Sequence, residues 1–209
     1  MTWYILIAWI SLAFCLSGAL WHVVRLIRAG QPGDYAEPSG KTGSAIAYSF
    51  TGAMSPVKKE SAFLHLPTYA AGIIYHLGTF TAILLFILSL IGISLPSILS
   101  YILACCLAVS GACGLGMLIK RFVKKGLRTL SNPDDYIANI LVTLFHLVSA
   151  LALVIPGLAP FCFLSASAVC LVFPFGKLKH AVYFFAARYH LGLFFGRRGV
   201  WPAQNHPEK

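Results

Sequence analysis

Among Asp, Glu, Lys, Arg and His, only histidine recurs inside the long apolar segments of this sequence. His22, His76 and His146 lie within apolar runs, and His180 follows directly after another. Neutral imidazole is a ligand for metal ions and for haem iron. Solute and ion pathways in membranes are usually lined by buried Asp, Glu, Lys or Arg, so the pattern favours iron ligation over transport. A small solute transporter is therefore the less favoured function.

The segments that carry these histidines are long enough to be membrane-spanning helices. Apolar residues make up 58% of the 209 residues, charged residues only 11%, and the mean hydropathy is +0.80. Runs of about 20 apolar residues, the length that crosses roughly 30 Å of hydrocarbon, occur at 3–27, 69–93, 97–119, 136–155 and 159–175. The sequence thus predicts an all-α membrane protein, a bundle of five transmembrane helices.

The basic residues indicate how these spans are oriented. All sixteen Lys and Arg residues lie at the end of span one or after spans one, three and five, and the connections at 94–96 and 156–160 carry none. By the positive-inside rule, the basic side is cytoplasmic, so the N-terminus is outside and the C-terminus is cytoplasmic. A signal peptide would carry its charge before the apolar run, whereas Arg25 and Arg28 follow it. We predict a multi-pass protein of a prokaryotic inner (cytoplasmic) membrane.

The sequence predicts one membrane domain with a basic cytoplasmic loop and a basic cytoplasmic tail. Residues 1–182 form the predicted five-helix domain, which includes a cytoplasmic loop at 29–68, and residues 183–209 form a cytoplasmic tail rich in aromatic and basic residues. Residues 45–67 are expected along the lipid headgroups, and the run 131–135 is expected to cap the fourth span. The net charge of +10 comes without a nucleic-acid-binding motif, so we expect no nucleic acid partner. The six cysteines all lie in the spans, without zinc-site spacing or a C-x-x-C-H motif, and are expected to be small buried side chains.

Three of the histidines fall at matching depths, close to the basic side of the membrane. With a rise of 1.5 Å per residue, His76 lies roughly 9 to 11 Å inside the basic end of span two, and His180 lies near the same boundary. His22 is also about 9 Å from the basic end of its span, whereas His146 is closer to the bilayer middle. We therefore predict His76 and His180 as axial ligands of one haem b, and His22 as either a cofactor-binding residue or an interhelical hydrogen-bond partner. For His146 the hydrogen bond is favoured. Four cations are candidates to pair with the haem propionates: Arg25, Arg28, Lys177 and Lys179.

Two motifs extend this interpretation to a family. The run Ile73-Ile-Tyr-His-Leu-Gly and the run Val172-Phe-Pro-Phe-Gly-Lys-Leu-Lys-His resemble those of the gamma subunit of respiratory nitrate reductase. Its relatives are the five-helix cytochrome b subunits of membrane-bound heterodisulfide reductase and of the sulfate reducers' transmembrane redox complexes. The resemblance covers the five spans in order and implies two stacked b haems held by the second and fifth helices.

The resemblance also implies which haem this chain retains. His76 and His180 match the ligands of the haem nearest the cytoplasm, but Phe86 and Cys162 stand where the outer haem's ligands are expected. One haem b is therefore expected, and the outer haem is expected to be absent. A second haem held by His22 and His146, or iron bound by a Cys162 thiolate, are less favoured alternatives.

The function implied is that of a b-type cytochrome subunit of a multisubunit respiratory complex. It would relay electrons between the quinone pool and a cytoplasmic iron–sulfur subunit, with other membrane or periplasmic cytochrome subunits as further partners. The chain itself would be a non-catalytic electron-transfer subunit of an oxidoreductase complex. The alternative is a membrane anchor without haem that docks cytoplasmic redox partners.

Overall fold

The computed structural model describes residues 2–30, 33–58 and 63–202. Helices make up 82% of the described residues, and none of these residues is in a β-strand, which confirms the predicted all-α class. Residues 31–32 and 59–62 of the predicted loop, and residues 203–209 of the predicted tail, lie outside the described residues. The α-helices are α1 Trp3–Ala29, α2 Thr42–Phe50, α3 Leu66–Leu90, α4 Ser97–Val123, α5 Lys125–Thr129, α6 Pro133–Val154, α7 Ala159–Val172 and α8 His180–Arg197.

Four of these helices, α1, α3, α4 and α6, are long and apolar enough to cross a membrane. They contain 22 to 27 residues, about 33 to 40 Å of helix, and the mean hydropathy of their most apolar windows is 1.9 to 2.3. Between 11% and 39% of each window is buried within the protein, so apolar surface remains on every one of them. By length and composition, these helices are thus compatible with the predicted multi-pass membrane protein. A fifth span is counted only if the segments Pro156–Val172 and Lys177–Arg197 are taken together across their break.

The break follows from the sequence after α7. This helix has 14 residues, about 21 Å, which is shorter than the predicted span at 159–175. Pro174 lacks a backbone N–H, so it cannot continue the helical hydrogen-bond ladder. Its ring is seated against Gly18 of α1, where an added Cβ would lie 2.5 Å from Pro174 Cγ. The ring of Phe175 packs beside that of Phe14, with centroids 5.8 Å apart.

One compact unit comprises Met1–Leu20 and Pro67–Lys179. Within it α4 packs closely on α6, and α6 packs on α7. The predicted cap of the fourth span is confirmed, because Asn132 Oδ1 accepts a hydrogen bond from the Asp135 N–H at 3.0 Å while Asp135 Oδ2 accepts one from the Asn132 N–H. The buried apolar core of this unit consists of Ala8, Ala82, Leu85, Phe86, Leu90, Leu107, Phe145, Ala150, Phe163 and Ala166.

A second unit comprises Trp21–Leu66 and His180–Lys209. Here α2 lies along α8, a contact between the predicted loop and the predicted tail that the sequence did not indicate. Gly192 and Gly196 of α8 both lie against Ala45 of α2. These three residues and Ser49, one helical turn after Ala45, are buried. We call these four residues the glycine seam. Ser49 Oγ donates a hydrogen bond across it to the Arg188 carbonyl at 2.7 Å.

Candidate functional site

His76 lies in the middle of α3 with its side chain exposed. Its Nδ1 is 2.7 Å from the Gly72 carbonyl oxygen, one turn earlier in the same helix. Because a carbonyl only accepts hydrogen bonds, Nδ1 is the donor, and the neutral ring then has its lone pair on Nε2. Metal-binding histidines characteristically donate one ring N–H to a carbonyl or carboxylate in this way, which fixes the orientation of the ring.

His180 is the first residue of α8 and is exposed as well. It follows the 3-10 turn Lys177–Lys179, which continues the chain after the break at Pro174. His76 belongs to the first unit and His180 to the second. Their pairing on one iron atom stays a prediction.

His22 is buried, with 6% of its surface exposed. Its Nδ1 lies 3.0 Å from the Tyr183 hydroxyl, and the two rings meet edge to face with centroids 5.6 Å apart. His22 is in the last third of α1, and Tyr183 is in the first turn of α8. The hydrogen bond between helices that was one interpretation of His22 is therefore present.

His146 of α6 is fully buried, and both of its ring nitrogens have hydroxyl partners. Nδ1 lies 3.1 Å from Ser110 Oγ on α4, and Nε2 lies 3.0 Å from Thr79 Oγ1 on α3. A neutral imidazole has one donor and one acceptor, and a hydroxyl can act as either, so this pair of partners matches it fully. The favoured interpretation of His146 is confirmed.

Further polar side chains extend the contact around His146. The Tyr75 ring lies 4.9 Å from the imidazole centroid. Tyr75 Oη donates to the Asn139 carbonyl at 3.1 Å and lies 3.0 Å from Thr143 Oγ1. These groups connect α3, α4 and α6, and both nitrogens of His146 take part in hydrogen bonds between helices. We refer to Tyr75, Thr79, Ser110, Thr143 and His146 as the polar cluster.

The cations predicted for the haem propionates have different surroundings. Lys177 Nζ forms an ion pair with Asp135, whose side chain is only 6% exposed. Asp135 Oδ2 also lies 3.4 Å from Arg121 Nη1. Lys179 Nζ donates to the Phe175 carbonyl at 3.2 Å. Arg25 and Arg28 are exposed near the end of α1. Lys177 thus contributes to an ion-pair cluster that joins the end of α4 to the start of α6.

The positions where the resemblance expects ligands of an outer haem are filled by core packing. Phe86 is 4% exposed, and its ring meets that of Phe163 with centroids 6.0 Å apart. Cys162 packs against the same core, and its Sγ lies 3.4 Å from Ser149 Oγ. These two residues therefore serve the packing of α3, α6 and α7.

Comparison of the chain with protein-family models, with curated proteins and with solved structures finds no match.

Proposed function

We propose that this chain is a b-type cytochrome subunit of a multisubunit membrane redox complex, with His76 and His180 as the axial ligands of a single haem. The observation that carries the proposal is the hydrogen bond from His76 Nδ1 to the Gly72 carbonyl. It selects the tautomer in which Nε2 has the lone pair that iron needs. The Phe-Pro-Phe-Gly break that precedes His180 belongs to the second of the two motifs on which the family resemblance depends.

The other buried imidazoles support one haem rather than two. Both nitrogens of His146 are engaged by Ser110 and Thr79, and Nδ1 of His22 is engaged by Tyr183. Phe86 and Cys162 lie in or against a packed apolar core. His146 could bind iron only by giving up one of these two hydrogen bonds, at an energetic cost. A second haem held by His22 and His146 therefore stays the less favoured alternative.

Haem iron, when bound, supplies a one-electron redox step. The chain's own residues would ligate it and limit water access, and Arg25, Arg28 and Lys179 are the candidates to pair with propionates because Lys177 already pairs with Asp135. With the basic side in the cytoplasm, electrons would pass between membrane quinone and a cytoplasmic iron–sulfur subunit. The inner membrane of a prokaryote is the proposed location.

The test is a haem count on the purified full chain, with spectra before and after dithionite reduction. We expect one haem b per chain, and we expect His76→Ala and His180→Ala each to abolish the reduced alpha band. The matched controls are His65→Ala, just before α3, and His190→Ala, ten residues after His180 in α8; both histidines are exposed, and both variants should retain the band. A folded wild-type chain without haem would overturn the proposal in favour of the haem-free anchor. Two haems per chain would overturn the single-haem assignment.

A further inference from the structure

A groove of about 210 Å³ lies between the basic ends of α3 and α4 in the first unit. Its walls are apolar or small, and they include Ala71, Cys113, Gly116 and Met117. A Cβ added at Gly116 would meet nothing within 4 Å, so the missing side chain leaves open space there. The groove therefore offers a channel for an unbranched apolar chain that runs along the helices.

The groove has a positive charge at its mouth. Lys120 and Thr68 both line it, and Lys120 Nζ donates a hydrogen bond to Thr68 Oγ1. The next residue, Arg121, is compensated by the carboxylate of Asp135. Lys120 forms no ion pair with an acidic side chain in the described ranges. Within those ranges the half-buried Lys120 ammonium, at the end of a membrane-length helix, contacts a neutral hydroxyl and no carboxylate.

More cations follow along the same stretch of chain. Lys124, Lys125 and Arg128 are all exposed, and none of them belongs to an ion pair among the described residues. The chain that follows Lys120 therefore carries further positive charge, and none of it is paired with an acidic side chain in the described part of the chain. Cations near a membrane surface attract anionic lipids, and this attraction falls off within a Debye length, so Lys120, which lines the groove itself, is expected to contribute most.

We infer that this groove binds an anionic phospholipid. One acyl chain would occupy the channel beside Gly116, and the phosphate would accept hydrogen bonds from the Lys120 ammonium and the Thr68 hydroxyl. A quinone would also fit an apolar channel, but its neutral head group would leave the four cations uncompensated. The charge therefore favours the lipid. This inference does not depend on haem binding.

The experiment is native mass spectrometry of the full chain in detergent. It is titrated with phosphatidylglycerol or with phosphatidylcholine of the same acyl chains. We expect the wild type to bind the first molecule of phosphatidylglycerol roughly five- to tenfold more tightly, as expected from about 1 kcal/mol or slightly more. Lys120→Gln should remove most of this preference. Gly116→Leu, which fills the channel and leaves all charges in place, should weaken the binding of both lipids.

Two further measurements make the result decisive. Lys58→Gln removes an exposed cation from the second unit and should leave the preference unchanged. Equal binding of the two lipids by the wild type would overturn the inference, as would displacement of the lipid by a neutral quinone with no effect of Lys120→Gln. The haem content, measured on the same samples, should be unaffected, so failure here is distinct from failure of the cytochrome proposal.

Discussion

The polar cluster and the glycine seam bring helices together by opposite means. In the polar cluster, α3, α4 and α6 approach through side chains, with the His146 imidazole between two hydroxyls at 3.0 and 3.1 Å. In the glycine seam, α2 and α8 approach because side chains are missing. A Cβ on Gly192 would lie 2.5 Å from Ile46 Cα and 3.0 Å from the Ala45 carbonyl oxygen.

The difference shows where a change of sequence can be absorbed. A hydroxyl or an imidazole can rotate, and a lost hydrogen bond in a membrane bundle costs about 0.6 kcal/mol on average and about 1.7 at most. The atoms facing Gly192 belong to the backbone of α2, which can only yield if the helix moves as a whole. The seam should therefore tolerate less than the cluster, and substitutions of Gly192 and His146 test that order.

The largest effect is expected in the glycine seam. Gly192→Ala places a methyl group against the α2 backbone, so we expect α2 to separate from α8 at a cost of about 3 kcal/mol, the upper range for overpacking. The measurement is limited proteolysis of the 33–58 segment, together with equilibrium unfolding in mixed detergent micelles. Gly43→Ala in α2 is the matched control, because an added Cβ there meets nothing within 4 Å.

Gly43→Ala should be neutral or slightly stabilising, since alanine is the better helix former. If Gly192→Ala proved as stable as Gly43→Ala, α2 would not be held against α8 by backbone contact. The comparison between seam and cluster would then fail.

A smaller effect is expected in the polar cluster. His146→Leu removes two interhelical hydrogen bonds and leaves the Ser110 and Thr79 hydroxyls without their imidazole partner, so we expect a loss of about 2 kcal/mol in unfolding free energy. The haem content should stay at the wild-type value, because His146 is assigned to structure. His190→Leu, at an exposed position of α8, is the control for the loss of a histidine.

Loss of haem in a folded His146→Leu protein would contradict the division of roles between the histidines. A loss of unfolding free energy larger than that of Gly192→Ala would instead reverse the expected order of the two regions.

The spans and the cap of α6 were predictable from sequence because each depends on neighbouring residues alone. Apolar runs of sufficient length gave the predicted starts at 3 and 97 that α1 and α4 confirm. The Asn-Pro-Asp-Asp run predicted the start of α6, since Asn132 and Asp135 cap each other locally. Hydropathy could not predict where α7 ends, because the run 159–175 is apolar on both sides of Pro174.

The contacts between distant residues were not predictable in the same way. Tyr75 and Thr79 share one face of α3 at i and i+4, but nothing in their spacing indicates Ser110 or His146 as partners. The G-x-x-x-G spacing of Gly192 and Gly196 was a usable signal of close helix packing. The residues of α2 in the seam, Ala45 and Ser49, are more than 140 residues away from these glycines. They belong to a segment for which the sequence predicted only a position along the lipid headgroups.

The smallest effect concerns a polar contact at the surface of the second unit, beyond the glycine seam. Asp34 accepts hydrogen bonds from Arg198 Nη1 at 2.9 Å and Nη2 at 3.1 Å, and Arg197 Nε lies 3.5 Å away. The hydrogen bonds from Arg198 have the largest effect on Asp34, and the hydrogen bond from the Ala36 N–H has the next largest. Together they hold the pKa of Asp34 below its ordinary value of 3.8. A carboxylate with a lowered folded-state pKa stabilises the fold above its unfolded pKa, and this contribution disappears as the pH falls through the lowered value.

Asp34→Asn should therefore be slightly less stable than the wild type at pH 7. The difference should begin to shrink as the pH falls below about 4 and should vanish below the lowered pKa of Asp34. The measurement is the unfolding free energy of both proteins, obtained from thermal unfolding at each pH. In the difference between the two proteins, the contributions of all other titrating groups cancel. Glu37→Gln is the control, because Glu37 is exposed and takes part in none of the ion pairs of the described residues. A difference between wild type and Asp34→Asn that persists at low pH would mean that the Asp34 contact acts by packing or neutral hydrogen bonds. The Asp34 contact in the second unit would then be of the same kind as the polar cluster in the first, which is made of neutral polar groups. Charge would no longer distinguish the polar contacts of the two units.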